Sequence, residues 1–214
     1  MKRPDPRLAA YRDLLLAAPV SVTSIREPVR AWTVHVEDAL AAVPIVEKLA
    51  PARIADVGSG GGSPGIPIAL VTGIAVDLVE ATGVKCDFLR RCVAALDAPC
   101  DVVHDRSEHL ARGGGRDAYD LVLARALAPP PVAVELCLPL ARVGGHVLLW
   151  TAETEPGALA QAAAAMGGEH AETVEAGPNR RLELLRKLTA TPERFPRRPG
   201  MAAKHPLVRV RSRP

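Results

Sequence analysis

Asp56-Val57-Gly58-Ser59-Gly60-Gly61-Gly62-Ser63-Pro64-Gly65 directly follows a short apolar run, Arg53–Val57, and directly precedes another, Ile66–Val71. A buried strand, a glycine turn and a helix in immediate succession is how an open α/β sheet builds a ligand site. Glycines at 58, 60 and 62 allow the chain to turn sharply, and the missing side chains let a ligand touch the backbone. The turn lies at the carboxyl end of the first strand, where such sheets bind their ligands.

Outward from the turn the pattern repeats. Further strands are read at Ala75–Val79, Cys100–Val103, Tyr119–Leu123, Gly145–Trp150 and Leu182–Leu188. The intervening helices are Val84–Leu96, Val132–Leu140 and Gly157–Met166. Strands alternating with helices at short spacing imply parallel pairing with right-handed crossovers, hence a doubly wound α/β sheet. Ahead of the first strand, Leu8–Ala17 reads as one helix and Val29–Leu49 as a second, broken near Pro44. Three segments follow: a helical extension over 1–50, a ligand-binding core over 51–190 and a basic end over 191–214. Gly113–Gly115 and the stretch beyond Thr191 are expected to be loosely ordered.

Composition sets the outer limits. The 214 residues suffice for one sizeable core, and with aromatics at 3% that core rests on Ala, Val, Leu and Ile. No window reaches the roughly 18 apolar residues of a membrane span, and the charged start Met1–Arg7 is not a secretory signal, so a cytoplasmic protein is expected. Cys86, Cys92, Cys100 and Cys137 form no Cys-x-x-Cys pair, which points to buried thiols and no metal site. Cys86 and Cys92, six apart on a helix, are not expected to share a face.

Charge is uneven. Met1 to Glu175 holds 16 Lys/Arg against 22 Asp/Glu, a net of −6, whereas Ala176 to Pro214 holds 11 against 2, a net of +9. A polyanionic partner fits that basic end, as does a merely solvated tail.

Two ligand classes compete for the turn. A dinucleotide requires a third glycine five residues after the first, where Ser63 stands, followed by Pro64. S-adenosylmethionine carries no phosphate, so a carboxylate near the turn is useful to it. Asp56 suits its ammonium or an ordered water, and Glu80, ending the second strand, suits the two ribose hydroxyls. That acid serves NAD equally well, and both acids also have a plain reading as strand-end solvation. After the third strand, Arg106-Ser107-Glu108 offers groups to adenine.

The run Asp-Val-Gly-Ser-Gly-Gly-Gly-Ser-Pro-Gly-Ile-Pro resembles the RsmG (GidB) family of bacterial 16S ribosomal RNA methyltransferases, with Pro64-Gly65-Ile66-Pro67 the distinguishing extension. The likeness continues through His35-Val36-Glu37-Asp38-Ala39-Leu40, Phe88-Leu89-Arg90, Arg106-Ser107-Glu108 and Ala124-Arg125-Ala126. It ends with Phe195-Pro196-Arg197-Arg198-Pro199-Gly200, Lys204 and Pro206-Leu207. It implies a class I, Rossmann-like methyltransferase: a mostly parallel seven-stranded sheet flanked by helices, with an N-terminal helical extension. It further implies S-adenosylmethionine as cofactor, transfer to guanine N7 in the 530 loop of 16S ribosomal RNA, and cofactor contacts at Gly58, Ser63, Ser107, Glu108 and Arg125. The partner is then 16S ribosomal RNA or the 30S subunit, and the enzyme is expected to be a monomer. The chain departs from the family in having Ser21 in place of the usual Asn, Ser63 in place of a large apolar residue, and Thr151 where a lysine is usual.

Guanine N7 has an exposed lone pair, so no general base is required and catalysis rests on alignment and exclusion of water. Arg125 is a candidate positioning residue, for the cofactor carboxylate or for guanine O6; a structural ion pair with Asp56 or Glu135 is its other reading. His35 and Asp38, one helical turn apart, either line the substrate side or pin the helices to the sheet. Arg197, Arg198 and Lys204 are placed against phosphates. Three other functions remain in competition: methylation of a different RNA or a small molecule, NAD-dependent oxidoreduction, and RNA binding without catalysis.

Overall fold

The structure is a computed structural model that describes residues 5–152, 157–177 and 180–208. Seven strands form one sheet in the order β3-β2-β1-β4-β5-β7-β6. The chain clusters into two compact units, one through His104 and one from Asp105 onward.

The first unit holds β1 (Ile54–Val57), β2 (Val76–Glu80) and β3 (Cys100–His104), paired in parallel with Ile54 opposite Val76 and Val76 opposite Cys100. Every residue of β1 is buried, as a strand covered on both faces requires. Between the strands run α5 (Gly65–Thr72), buried along most of its length, and α6 (Gly83–Leu96). On α6 the buried residues include Cys86, Leu89, Cys92 and Leu96, a stripe broad enough to take in both cysteines. The expectation that Cys86 and Cys92 face different ways is therefore corrected. Burial pushes the Cys92 thiol up to about 11, and that of Cys100 up to about 12, so neither is a thiolate at neutral pH.

The leading helices belong to this unit. They are α1 (Arg7–Leu16), α2 (Pro28–Trp32), a π-helical turn Thr33–Glu37, α3 (Asp38–Leu40) and α4 (Val43–Leu49). Glu27 caps α2 by accepting from the backbone N–H of Val29 and Arg30, with Pro28 at the first helical position. The break expected near Pro44 falls just before α4, whose first turn carries that proline. Helix α1 packs on α5 and α6, burying Leu8, Tyr11 and Leu15.

In the second unit, β4 (Tyr119–Arg125) pairs in parallel with β5 (Ala141–Thr151), and β5 pairs antiparallel with β7 (Arg180–Lys187). Its helices are α7 (Ser107–Leu110), α8 (Pro130–Cys137), α9 (Ala158–Ala165) and α10 (Met201–Lys204). The outermost strand, β6 (Gly168–Gly177), pairs antiparallel with β7 and is the strand that sequence reading does not place. It is an edge strand carrying Glu169, Glu172 and Glu175, so the apolar alternation that marks a strand is missing.

The stretch after Thr191 is not loosely ordered where it is described; residues 209–214 of the basic end lie outside the described residues. Arg116 donates to the carbonyls of Thr191 at 2.6 Å and Phe195 at 2.9 Å, and Arg112 donates to that of Pro196 at 2.9 Å. Among the described residues no helix is long and apolar enough to cross a membrane.

Candidate cofactor site and its framework

The glycine turn in the first unit is defined by its backbone. Gly58, Gly60 and Gly62 have φ of 71°, 55° and 94°, a region that side chains strongly disfavour. A Cβ at Gly62 would stand 2.5 Å from Ile66 Cδ1, so that glycine is required for packing as well. Gly60 differs. A Cβ there would meet only Gly58 O at 3.7 Å, so the turn is open on that side and leaves its backbone accessible.

The acids read from the sequence bracket this turn in different ways. Asp56 is 1% exposed and its Oδ2 accepts from Gly65 N–H at 3.0 Å, so it caps the start of α5 from beneath. A Cβ at Gly65 would lie 2.8 Å from that oxygen, which explains the second half of the Pro-Gly pair. Glu80 lies at the open side. Its Oε2 accepts from Gly60 N–H at 3.0 Å and its Oε1 from Thr82 N–H at 2.8 Å. A carboxylate oxygen has capacity for two hydrogen bonds, so the acid retains acceptors for a diol beside the open glycine.

Two side-chain hydrogen bonds tie the turn to the leading helices, one from Ser63 in the turn and one from Tyr11 on α1, and of these two residues only Ser63 was singled out in the sequence. Ser63 Oγ donates to the carbonyl of His35 at 2.8 Å. The His35 ring is buried, with Nε2 2.8 Å from Thr23 Oγ1, which in turn accepts from Ile25 N–H. Tyr11, fully buried, donates its hydroxyl to the carbonyl of Gly61 at 2.9 Å and was missed. The signal for it was a lone tyrosine on an otherwise aliphatic helix face, since a buried phenol must find an acceptor. The His35 ring thus bonds to Thr23 and its carbonyl to Ser63, which ties the turn to the π-helical turn. Asp38, half-buried on the following α3, lies one helical turn away.

In the second unit, Ser107 and Glu108 begin α7 and are buried. Glu108 accepts from Arg106 Nη2 at 3.0 Å and from Gly200 N–H at 3.3 Å. Burial pushes its carboxyl up, but the hydrogen bonds from Arg106 and from backbone N–H groups outweigh it, so the net value lies below the ordinary one. Arg125, half-buried, ends β4 and is followed by Ala126 at φ 52°, a strained bend for a residue with a side chain.

Arg197 is occupied. Its Nε and Nη2 donate to the two oxygens of Glu135 at 2.9 and 2.6 Å, and its backbone N–H donates to Oε1 at 3.1 Å. Glu135 is 1% exposed, so this forked pair anchors the basic segment to α8. The pairing of Glu135 considered for Arg125 is thereby taken by Arg197. Arg198 and Lys204 are exposed. Among the described residues, no three or more His, Cys, Asp or Glu side chains gather as a metal site.

Solved structures share this architecture. The chain matches the CcbJ methyltransferase from Streptomyces caelestis with a TM-score of 0.57 and 18% identity, covering 71% of this chain and 95% of that one. It matches cofactor-bound Rv0187 from MTB with a TM-score of 0.60 and 18% identity, covering 86% and 91%. Sheet order and glycine turn together define the Rossmann-like methyltransferase fold.

Sequence comparison goes further. The model of the GidB family, "rRNA small subunit methyltransferase G", matches residues 6–182. The ribosomal RNA small subunit methyltransferase G of Rubrobacter xylanophilus is 41% identical over 94% of this chain and 80% of its own length. That of Sorangium cellulosum is 38% identical over 90% and 80%. The chain belongs to the rRNA small subunit methyltransferase G family.

Proposed function

We propose that this protein transfers a methyl group from S-adenosylmethionine to N7 of a guanine in the 530 loop of 16S ribosomal RNA. The observation that carries the reading is the pairing of an open, positive-φ Gly60 with the buried acid Glu80, inside a family of small-subunit rRNA methyltransferases.

The cofactor fits what the turn provides. Gly60 leaves room against the backbone, and Glu80 supplies acceptors for a ribose diol; a pyrophosphate would meet that acid and Ser63 in place of a glycine. The bound sulfonium supplies an electrophilic methyl. Glu80 orients the sugar end, while Tyr11, Ser63 and His35 keep the turn in shape. Asp56 acts by fixing the start of α5. The contacts that family likeness implies for Ser107, Glu108 and Arg125 are part of the same proposal, with Glu108 acting through its backbone because its carboxylate is engaged.

The chemistry asks little more of the protein. The N7 lone pair forms the new bond as the methyl–sulfur bond breaks, giving a cationic base and a neutral thioether with no proton to remove. Positioning and water exclusion carry the rate. The target must be unpaired or extruded. Arg198 and Lys204, exposed on the basic end, supply phosphate contacts; Arg197 does not. We place the enzyme in the cytoplasm, as a monomer acting on 16S ribosomal RNA or on the 30S particle.

Mapping N7-methylguanosine in 16S ribosomal RNA from a strain lacking this gene tests the target. Loss of the modification from the 530 loop is expected; an unchanged map excludes the assignment.

A further inference from the structure

A recess open to solvent lies in the second unit at the carboxyl ends of β4 and β5. Ala124, Leu127, Pro130, Leu149, Trp150 and Thr151 contribute to its lining, and among the described lining residues the only hydroxyl is that of Thr151. Strand carboxyl ends are where open α/β sheets bind ligands, and a flat ring is the group that lies against an open wall of this kind. Small aliphatic walls beside an indole favour such a ring.

Thr151 is not a casual lining residue. Leu149 stands opposite Glu183, and Thr151 opposite Arg181, so Leu149, Thr151 and Glu183 share one face of the sheet. Glu183 is 2% exposed within the buried run Leu182-Glu183-Leu184-Leu185. Three donors converge on its carboxylate: Thr151 Oγ1 at 3.3 Å, Thr173 Oγ1 at 2.6 Å and His170 Nε2 at 2.8 Å. A buried polar cluster of this kind adds little stability over apolar packing of the same shape. Its geometric consequence is specific. The Thr151 hydroxyl gives its hydrogen to Glu183, so its oxygen is left as an acceptor on a residue that lines the recess.

We propose that Thr151, held by Glu183 with His170 and Thr173, accepts a hydrogen bond from the N–H edge of the target base and selects guanine. This rests on the proposed guanine-N7 reaction. Guanine presents N1–H and its 2-amino group on the Watson–Crick edge, away from N7, so a grip there leaves the reacting atom clear; a fork on O6 and N7 would block it. With the acceptor set at ring position 1, adenine presents a lone pair there that meets the Thr151 oxygen lone pair to lone pair, its 6-amino donor lying where guanine carries O6. The hydroxyl cannot turn to donate without abandoning Glu183. Thr151 is thus a specificity-determining contact, and Glu183, His170 and Thr173 are positioning residues.

The test compares wild type, Thr151→Val and Thr151→Ser on 16S ribosomal RNA lacking the modification, with S-adenosylmethionine affinity measured alongside. Valine keeps the shape and removes the acceptor; serine keeps the acceptor. Thr151→Val is expected to lower kcat/KM for RNA about tenfold with unchanged cofactor affinity, and Thr151→Ser to restore most of it. A Thr151→Val enzyme within twofold of an active wild type overturns this inference alone, as does a serine variant as impaired as the valine. A wild type that transfers no methyl to guanine overturns both this inference and the proposed function.

Discussion

Replacing Arg197 by alanine separates two roles that the sequence leaves open, phosphate contact and structural anchor. The substitution removes two charge-assisted hydrogen bonds, at 2.9 and 2.6 Å, from a carboxylate whose side chain is 2% exposed. Breaking one partner of a buried pair costs about 3–5 kcal/mol. The Arg197 side chain is 24% exposed, and the backbone N–H to Glu135 at 3.1 Å survives the change, so the lower end of about 3 kcal/mol applies. For a chain of this length each kcal/mol moves Tm by roughly 2–4 °C, giving a fall of about 6–12 °C by calorimetry or circular dichroism. Arg198→Ala, an exposed neighbour, is the control and should move Tm by less than about 2 °C. RNA binding by folded Arg197→Ala protein should keep the wild-type slope of log K against log salt, whereas losing a phosphate contact reduces that slope by about one. A Tm within about 2 °C of wild type, or a reduced slope, refutes the anchoring role.

Three other perturbations probe the framework. Gly62→Ala places a Cβ 2.5 Å from Ile66 Cδ1 at φ 94° and should cost about 2–5 kcal/mol in urea unfolding, combining left-handed strain with overpacking. Tyr11→Phe removes the donor to Gly61 O and should weaken S-adenosylmethionine binding by up to about tenfold in calorimetry while leaving far-ultraviolet circular dichroism unchanged. Glu108 has its folded-state carboxyl held below the ordinary 4.5, so its stabilisation is fully present above that value and is lost as pH falls through the depressed one. The Tm gap between wild type and Glu108→Gln should therefore hold at neutral pH and close below about 4.5.

Much of this protein is written in local pattern. The first strand, the turn and α5 follow from an apolar run, spaced glycines and a second apolar run, and the parallel sheet follows from their repetition. Glu80 is legible because it ends a strand next to such a turn. Strand β6 is not legible, because an exposed edge strand carries charge where a pattern search expects alternation. Long-range pairing is equally hidden. Nothing near Glu135 or Arg197 in sequence signals that they meet across 62 positions, and a basic segment reads as a phosphate surface until its partner is seen. The acid Glu183 inside an aliphatic strand was visible in principle, since a lone carboxylate in a buried run demands donors. Its connection through Thr151 to a recess depends on strand register, which the sequence does not state.

The most direct measurement is transfer in vitro. Purified protein is incubated with methyl-labelled S-adenosylmethionine and 16S ribosomal RNA from a strain lacking the gene, both naked and as 30S particles, and the RNA is digested to nucleosides. Label confined to N7-methylguanosine, and abolished when Glu80 is replaced by alanine, is the predicted result. Label in any other nucleoside, or transfer undiminished in Glu80→Ala, contradicts the account.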